Sequence, residues 1–301
     1  MPSGVVAYCI AGATFQVKWI VDSQIHVWEA NNVERPWSEL PRAANLPEFT
    51  CEQALSLMDT ANVHMAILIP PIWARFQNEY ALACAGKYPD RFAVVGWFDP
   101  TTPNAPQNLK MWLDQRYMVG IRLIVTIPPG SNWLHAGHLE GGALDWFWGA
   151  AEESRIPLMI RITHAVSELA GIARQHPKLR LIVDHCAAES EITPLAFAAI
   201  PELLKLARWQ NIYVRLSSLA KYSASPSPYS DMDHIVRSVV SAFGPDRCMW
   251  GSDITHYMKR LPYSEVVDQF RLGCTFLSAS DRELILGQTA FKVFGLLRDQ
   301  G

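Results

Sequence analysis

Eight short apolar runs alternate along the chain with longer stretches of helical periodicity, and this alternation constrains the fold more than any other feature. Most of the runs are continuously apolar, as in parallel strands that are covered on both faces. They recur about every 33 residues, which is the size of one βαβ unit. The predicted strands cover residues 19–27, 63–69, 92–98, 120–125, 157–162, 179–184, 212–216 and 247–251. Eight consecutive βα units predict an α/β fold, a single (β/α)8 TIM barrel.

The stretches between the runs predict the helices that surround this barrel. They cover residues 50–60, 73–87, 105–117, 142–154, 166–176, 194–209, 231–243, 263–277, 281–287 and 288–297. A doubly wound open sheet is the alternative architecture, but no Gly-x-Gly-x-x-Gly sequence follows any predicted strand, so the barrel is favoured. We place the barrel over residues 19–301 and an N-terminal extension over residues 1–18.

The composition excludes several classes of protein. Half of the 301 residues are apolar and 18% are charged, which excludes a disordered chain. The formal net charge of −3 and the lack of a basic tract argue against a nucleic-acid partner. No apolar stretch reaches the roughly 18 residues of a membrane span. Six scattered cysteines and the lack of a secretion signal predict a cytoplasmic protein with reduced thiols, and association into a homo-oligomer stays open.

Polar residues lie at the carboxyl ends of three of the predicted strands, where a barrel enzyme keeps its site. Gln24 and His26 lie two positions apart at the end of the first strand, so their side chains share one face of it. His185 follows the sixth strand and Asp253 follows the eighth. A lone His or Asp at such a position is more often structural, but together these residues bring two imidazoles, an amide and a carboxylate to one barrel mouth.

Three sequence segments in this order resemble the amidohydrolase superfamily. They are Val-Asp-Ser-Gln-Ile-His-Val-Trp at 21–28, Val-Asp-His at 183–185, and Met-Trp-Gly-Ser-Asp-Ile-Thr-His at 249–256. The resemblance covers residues 20–298 and points to the branch of 2-pyrone-4,6-dicarboxylate lactonase and the sugar-lactone hydrolases. It implies a hydrolase that opens a lactone, with Asp253, His26, His185 and Gln24 as its catalytic residues.

One departure from the family pattern concerns the metal. The family usually has His-x-His after the first strand, and here the first His is replaced by Gln24. An amide oxygen is a poor zinc ligand beside imidazole, and no lysine on the fourth or fifth predicted strand offers a bridging ligand. We therefore expect that no cofactor is required. The alternative is one divalent metal, Zn²⁺, on His26, His185 and Asp253.

Ester hydrolysis needs a base for water and a donor for the developing oxyanion. Asp253 is the predicted base, and His26 and His185, with the amide of Gln24, are predicted to polarise the carbonyl group. The opposite assignment, in which a histidine is the base, stays open.

Three arginines lie inside predicted strands: Arg122, Arg161 and Arg215. A buried guanidinium needs a partner, so each of them is either in a structural salt bridge or in the site. Three on neighbouring strands predict bidentate binding of a small anionic organic substrate. Further candidates for substrate binding are Thr163, His164, Trp28 and His256.

Three functions compete at this point. The first is hydrolysis of a small anionic lactone, the second is a zinc-dependent decarboxylase of the same superfamily, and the third is a degenerate barrel that binds a ligand without turning it over. Gln24 argues against the second, since that class needs the full metal set. A degenerate barrel would not be expected to retain His26, His185 and Asp253 together.

Overall fold

A computed structural model describes residues 7–10, 13–16, 19–38, 46–74, 77–126 and 134–296 of the chain. Its strands are β1 (Ala7–Ile10), β2 (Ala13–Gln16), β3 (Val21–Ile25), β4 (Met65–Leu68), β5 (Phe92–Trp97), β6 (Met118–Thr126), β7 (Leu134–His135), β8 (Leu158–Arg161), β9 (Leu181–Val183), β10 (Ile212–Ser217) and β11 (Cys248–Gly251). Eight of them pair in parallel in the order β3-β4-β5-β6-β8-β9-β10-β11, and short β7 adds to β6. The eight predicted barrel strands are confirmed.

The sheet closes through a seam between its first and last strands. The Ser23 hydroxyl donates to the carbonyl of Trp250 at 2.6 Å, and the Asp253 amide donates to the carbonyl of Gln24 at 3.0 Å. These contacts make a nearly closed (β/α)8 barrel, as the sequence predicts. The hairpin of β1 and β2 forms a sheet of its own, and the domain boundary at residue 18 stays a prediction.

The helices follow the strands in the expected order. They are α1 (Cys51–Ala61), α2 (Glu79–Lys87), α3 (Ala105–Leu113), α4 (Ala136–Glu140), α5 (Asp145–Glu153), α6 (Leu169–Gln175), α7 (Ile200–Lys205), α8 (Leu219–Tyr222), α9 (Asp233–Phe243), α10 (Tyr263–Asp268), α11 (Ala279–Glu283) and α12 (Thr289–Phe294). The short helices α4 and α8 are not predicted by the sequence patterns. None of the helices in the described ranges has the length and apolar character that a bilayer crossing requires.

Some helix bounds differ from the prediction for local reasons. The helix predicted over 194–209 begins only at Ile200, because Pro201 lacks an N–H and fits the first turn of a helix. The helix predicted over 263–277 ends as α10 at Asp268 and continues as the π-helical turn Gln269–Gly273. Helix α1 agrees closely, since Thr50 and Gln53 form a capping box at its start.

The barrel interior is filled by side chains from alternate strand positions, such as Val21, Ile67 and Met159. The pairing register of β3 with β4 shifts between Asp22 and Ile25. In a strand with strict alternation, the side chains of Val21 and Gln24 would point to opposite faces of the sheet. The shift therefore allows Gln24 to point to the barrel mouth above Val21.

Candidate functional site

A cavity of about 420 Å³ opens at the carboxyl ends of the barrel strands. It brings together six residues predicted for the site: Gln24, His26, Arg122, Arg161, His185 and Asp253. The remaining wall is formed by Pro71, Ile72, Trp73, Trp97, Ile124, Ser190, Ser218, Lys221 and Tyr222.

His26 is held by a backbone acceptor, which decides where its proton lies. Its Nδ1 lies 2.8 Å from the carbonyl oxygen of Ile69, so Nδ1 carries the hydrogen. Its Nε2 lies 3.1 Å from Oδ1 of Asp253. In a neutral ring this Nε2 is an acceptor facing another acceptor, so the pair needs a shared cation, either a proton or a metal ion.

Gln24 lies beside this pair. Its Nε2 is 3.4 Å from Nε2 of His26. Its Oε1 is buried without a hydrogen-bond partner in the described part of the chain. A buried amide oxygen without a donor is costly, which makes it a candidate for contact with a cation or a ligand.

His185 follows β9 in an unusual backbone conformation. His185, Cys186 and Ala187 have φ angles of 51°, 53° and 59°, in the left-handed region. This region costs non-glycine residues roughly 1–2 kcal/mol each. The Nδ1 of His185 lies 2.8 Å from the Ser217 hydroxyl and 3.2 Å from the Ser218 hydroxyl. Burial lowers the pKa of His185 well below its usual value, so the ring is neutral at pH 7.

Asp253 follows β11, also in the left-handed region, with φ 51°. Its Oδ2 accepts a hydrogen bond of 2.6 Å from the Ser218 hydroxyl, while Oδ1 faces His26. The carboxylate is buried apart from its cavity face, where it can meet a bound water or ligand.

Arg122 and Arg215, which we call the inner cations, both contact the carboxylate of Asp184. Arg215 also donates to the carbonyl of Ser23 at 2.8 Å, and burial lowers its pKa to about 9. Its side chain is 0% exposed and lies away from the cavity wall. The structure therefore places Arg215 in a salt bridge rather than in the predicted substrate-binding position, whereas Arg122 contacts Asp184 and also lines the cavity.

Arg161 and Lys221, the rim cations, have different partners. Arg161 donates to the carbonyl of Ala188 at 3.0 Å and to the hydroxyl of Ser190 at 2.8 Å. Lys221 donates to the carbonyl of Ser190 at 2.6 Å. Burial lowers the pKa of both cations. Within the described residues neither contacts a carboxylate, so their charge is available to an anion. The sequence patterns did not predict Lys221 as a site residue. A basic residue shortly after a barrel strand, as Lys221 is after β10, is a signal that could have identified it.

Among the described side chains, three other predicted residues do not line the cavity: Trp28, Thr163 and His164. Trp28 is buried, and its ring contacts those of Phe49 and Trp73. The Thr163 hydroxyl lies 3.4 Å from the Ala188 carbonyl. The His164 side chain is 61% exposed and pairs with Glu189. The side chain of His256 lies outside the described residues.

The donors at the cavity floor fit one metal ion only as a mixed set. Among the described residues, no three His, Cys, Asp or Glu side chains form a metal-binding group. His26 Nε2 and Asp253 Oδ1 are 3.1 Å apart, close to the roughly 3.4 Å between two ligands about 2.1 Å from one tetrahedral zinc ion. The Nδ1–H of His26 donates to a backbone carbonyl, the usual outer contact of a metal-binding histidine. His26 and Asp253 therefore fit as two ligands of one divalent ion, and Gln24 beside them has a buried oxygen without a hydrogen-bond partner among the described residues.

Comparison with known proteins assigns the family. The model of the amidohydrolase family matches residues 21–296. The chain belongs to the amidohydrolase family. A curated relative, L-fucono-1,5-lactonase of Burkholderia ambifaria, is 24% identical over 233 residues, which are 77% of this chain and 79% of the relative.

Several solved structures share the fold of this amidohydrolase. One is a crystal structure of an amidohydrolase from Burkholderia multivorans with bound zinc, with a TM-score of 0.77 and 19% identity over 93% of this chain and 100% of that one. Another is a probable 2-pyrone-4,6-dicarboxylic acid hydrolase from Acinetobacter baumannii with citric acid bound. Its TM-score is 0.73, with 19% identity over 92% of this chain and 99% of that one.

The zinc in the Burkholderia multivorans structure overturns the expectation that no cofactor is required. That expectation was based on the loss of one imidazole at Gln24. The sequence does not show that the hydrogen bond from His26 Nδ1 to the Ile69 carbonyl turns Nε2 of His26 toward Asp253. The choice of a metal-free site is therefore wrong.

Proposed function

We propose that this amidohydrolase opens a small anionic lactone by attack of water on its carbonyl carbon. The observation that carries the proposal is the cavity itself, where the carboxylate of Asp253 and the two rim cations line one space of about 420 Å³. The curated relative named as a lactonase and the solved structure named as a pyrone-dicarboxylate hydrolase support lactone hydrolysis.

Asp253 serves as the general base in this proposal. Its Oδ2 accepts the hydrogen bond of Ser218 and its Oδ1 faces His26. The carboxylate also lines the cavity, and from that side it takes a proton from the attacking water. The new bond forms between the water oxygen and the carbonyl carbon, and the bond from that carbon to the ring oxygen then breaks. The proton held by Asp253 passes to the departing ring oxygen, which leaves as an alcohol beside the new carboxylate.

We give His26 a role that differs from the predicted one. With the hydrogen on Nδ1, a neutral His26 has no Nε2 hydrogen to donate to a carbonyl oxygen. We assign His26 and Asp253, with the oxygen of Gln24, as the residues that would hold a divalent ion. Such an ion, when bound, would polarise the carbonyl group and acidify water.

The charge of the substrate is inferred from the cavity walls. Among the described residues, Arg161 and Lys221 donate to neutral acceptors, and Trp73 and Trp97 also line the cavity. A compact ring bearing a carboxylate fits both surfaces, because guanidinium and ammonium groups form charge-assisted hydrogen bonds to carboxylates. Arg122 also lines the cavity but is already paired with Asp184.

The test is the variant Asp253→Asn, assayed on carboxylated and neutral lactones. We expect kcat to fall by about 10² to 10⁴, because an amide cannot accept the proton of water. Binding of the anionic lactone should persist, since the rim cations are unchanged. The matched control is Asp114→Asn, because Asp114 is an exposed residue that caps the C-terminal end of α3. This variant should retain wild-type rates.

Three outcomes would contradict the proposal. Wild-type turnover by Asp253→Asn removes Asp253 as the base. Release of CO2 from aromatic acids, without ring opening of any lactone, favours the decarboxylase. Binding of lactones without turnover by the zinc-loaded wild type favours the degenerate barrel.

A further inference from the structure

Ser218 lies between the side chains of Asp253 and His185 in the candidate site. It joins β10 to α8 in the left-handed region, with φ 60° and ψ 7°, where a serine side chain is disfavoured. Its hydroxyl lies 2.6 Å from Oδ2 of Asp253 and 3.2 Å from Nδ1 of His185. Residues in such conformations persist where the surrounding structure enforces them, often at functional sites.

The direction of these hydrogen bonds follows from the chemistry of the groups. A carboxylate only accepts, so the Ser218 hydroxyl gives its single hydrogen to Asp253. Toward His185 the same oxygen is then an acceptor, which requires a hydrogen on Nδ1 and leaves Nε2 with a free lone pair. The neutral state of the buried His185 ring permits only one hydrogen on its two nitrogens.

We propose that Ser218 is a positioning residue that fixes the rotamer of Asp253 and the tautomer of His185 through one hydroxyl bridge. The bridge directs Oδ1 of Asp253 toward His26 and keeps Nε2 of His185 unprotonated. It acts through these two side chains and does not depend on which substrate the cavity binds. Outer contacts of this kind are typically worth 10- to 100-fold in metal affinity or activity.

The experiment compares Ser218→Gly with the wild type. Glycine removes the hydroxyl but adopts the left-handed backbone without strain, so the melting temperature should be unchanged or higher. Zinc affinity of the metal-stripped protein, measured by competition with a chromogenic chelator, should weaken by about 10-fold or more. On a lactone substrate, kcat should fall by a similar factor while KM changes less than twofold.

Asn62→Gly is the matched control, because Asn62 also has a left-handed backbone, at φ 56°, but caps α1 away from the cavity. It should keep wild-type zinc affinity and kcat. Ser217→Ala removes the 2.8 Å contact to His185 but leaves the Asp253 contact intact, so its loss should be smaller. Ser218→Ala, measured in parallel, covers the case in which Ser218→Gly does not fold.

The tautomer of His185 gives a readout that needs neither zinc nor substrate. In ¹⁵N-histidine-labelled protein, Ser218→Gly should lower the population of the Nδ1–H form of His185, with the peak assigned by its loss in His185→Asn. An unchanged tautomer with zinc affinity and kcat within twofold of Asn62→Gly would overturn the proposal. Equal losses in Ser217→Ala and Ser218→Gly would overturn the bridge to Asp253. A site that shows the tautomer change but opens no lactone contradicts the proposed function alone.

Discussion

The inner cations and the rim cations have the same charge and lie in neighbouring parts of one barrel mouth, but they are balanced in different ways. Arg122 and Arg215 share the carboxylate of Asp184. In the part of the chain that the structure describes, Arg161 donates to neutral atoms of Ala188 and Ser190, and Lys221 donates to the carbonyl of Ser190. A guanidinium already paired with a carboxylate contributes to the fold, and one paired with neutral acceptors retains attraction for an anion. The partner of a buried cation therefore indicates its role better than its position in a strand.

The largest expected effect is on the free energy of unfolding, and it concerns Asp184, the shared partner of the inner cations. Asp184→Asn leaves two buried guanidinium groups without their counter-charge. Breaking a buried ion pair by removing one partner typically costs about 3–5 kcal/mol. Urea unfolding should show a loss of this size, against no change in the exposed control Asp114→Asn. Unfolding free energies that agree between Asp184→Asn and the wild type would show that the inner cations do not depend on Asp184.

A second prediction concerns Asp22, a buried carboxylate that is held by neutral donors. The amides of Gln24 and Ser252 donate to it at 3.0 and 2.8 Å, and the Tyr263 hydroxyl donates at 2.9 Å. Burial raises the pKa of Asp22 to about 6. Its folded pKa lies above the unfolded value, so its stabilising contribution is fully present below pH 3.8 and is lost as pH rises through about 6.

The measurement is the unfolding free energy of the wild type minus that of Asp22→Asn at several pH values. We expect this difference to fall by about 2.4 kcal/mol between pH 4 and pH 7.5, since each unit of pKa shift is worth about 1.4 kcal/mol and part of the effect is already lost at pH 4. The subtraction removes the groups common to both proteins, such as His185. A difference that rises with pH would mean that hydrogen bonds to Asp22 outweigh its burial.

The smallest effect is expected at the rim and should appear in substrate binding alone. Arg161→Met and Lys221→Met should each raise KM for a carboxylated lactone about 10-fold, since charge-assisted hydrogen bonds are worth about 1.5–3 kcal/mol. KM for a neutral lactone and the melting temperature should change little. Lys110→Met on exposed α3 is the control. Equal effects on charged and neutral lactones would remove the distinction between rim and inner cations.

The sequence predicts the barrel because its strands are continuous apolar runs whose number and spacing admit few folds. It also predicts that Gln24, His26, His185 and Asp253 meet, since the carboxyl ends of barrel strands lie together. It cannot separate Arg161 from Arg215, because both lie inside apolar strands and only the packed structure brings Asp184 to one of them. The left-handed backbone at His185 and Ser218 could not be predicted, because neither position holds glycine or asparagine, the residues that favour this conformation.

The seam between β3 and β11 determines when the site comes into existence. His26 and Asp253 meet across 227 positions of the sequence. At ribosomal rates of about 5–20 residues per second, roughly 10–45 s therefore pass between the synthesis of His26, which follows β3, and that of Asp253. During this interval β3 is an unpaired sheet edge on one side, open to association with other chains. The last strand thus completes the reactive centre and covers that edge in one step, so a nascent chain that has not yet formed β11 has no assembled site.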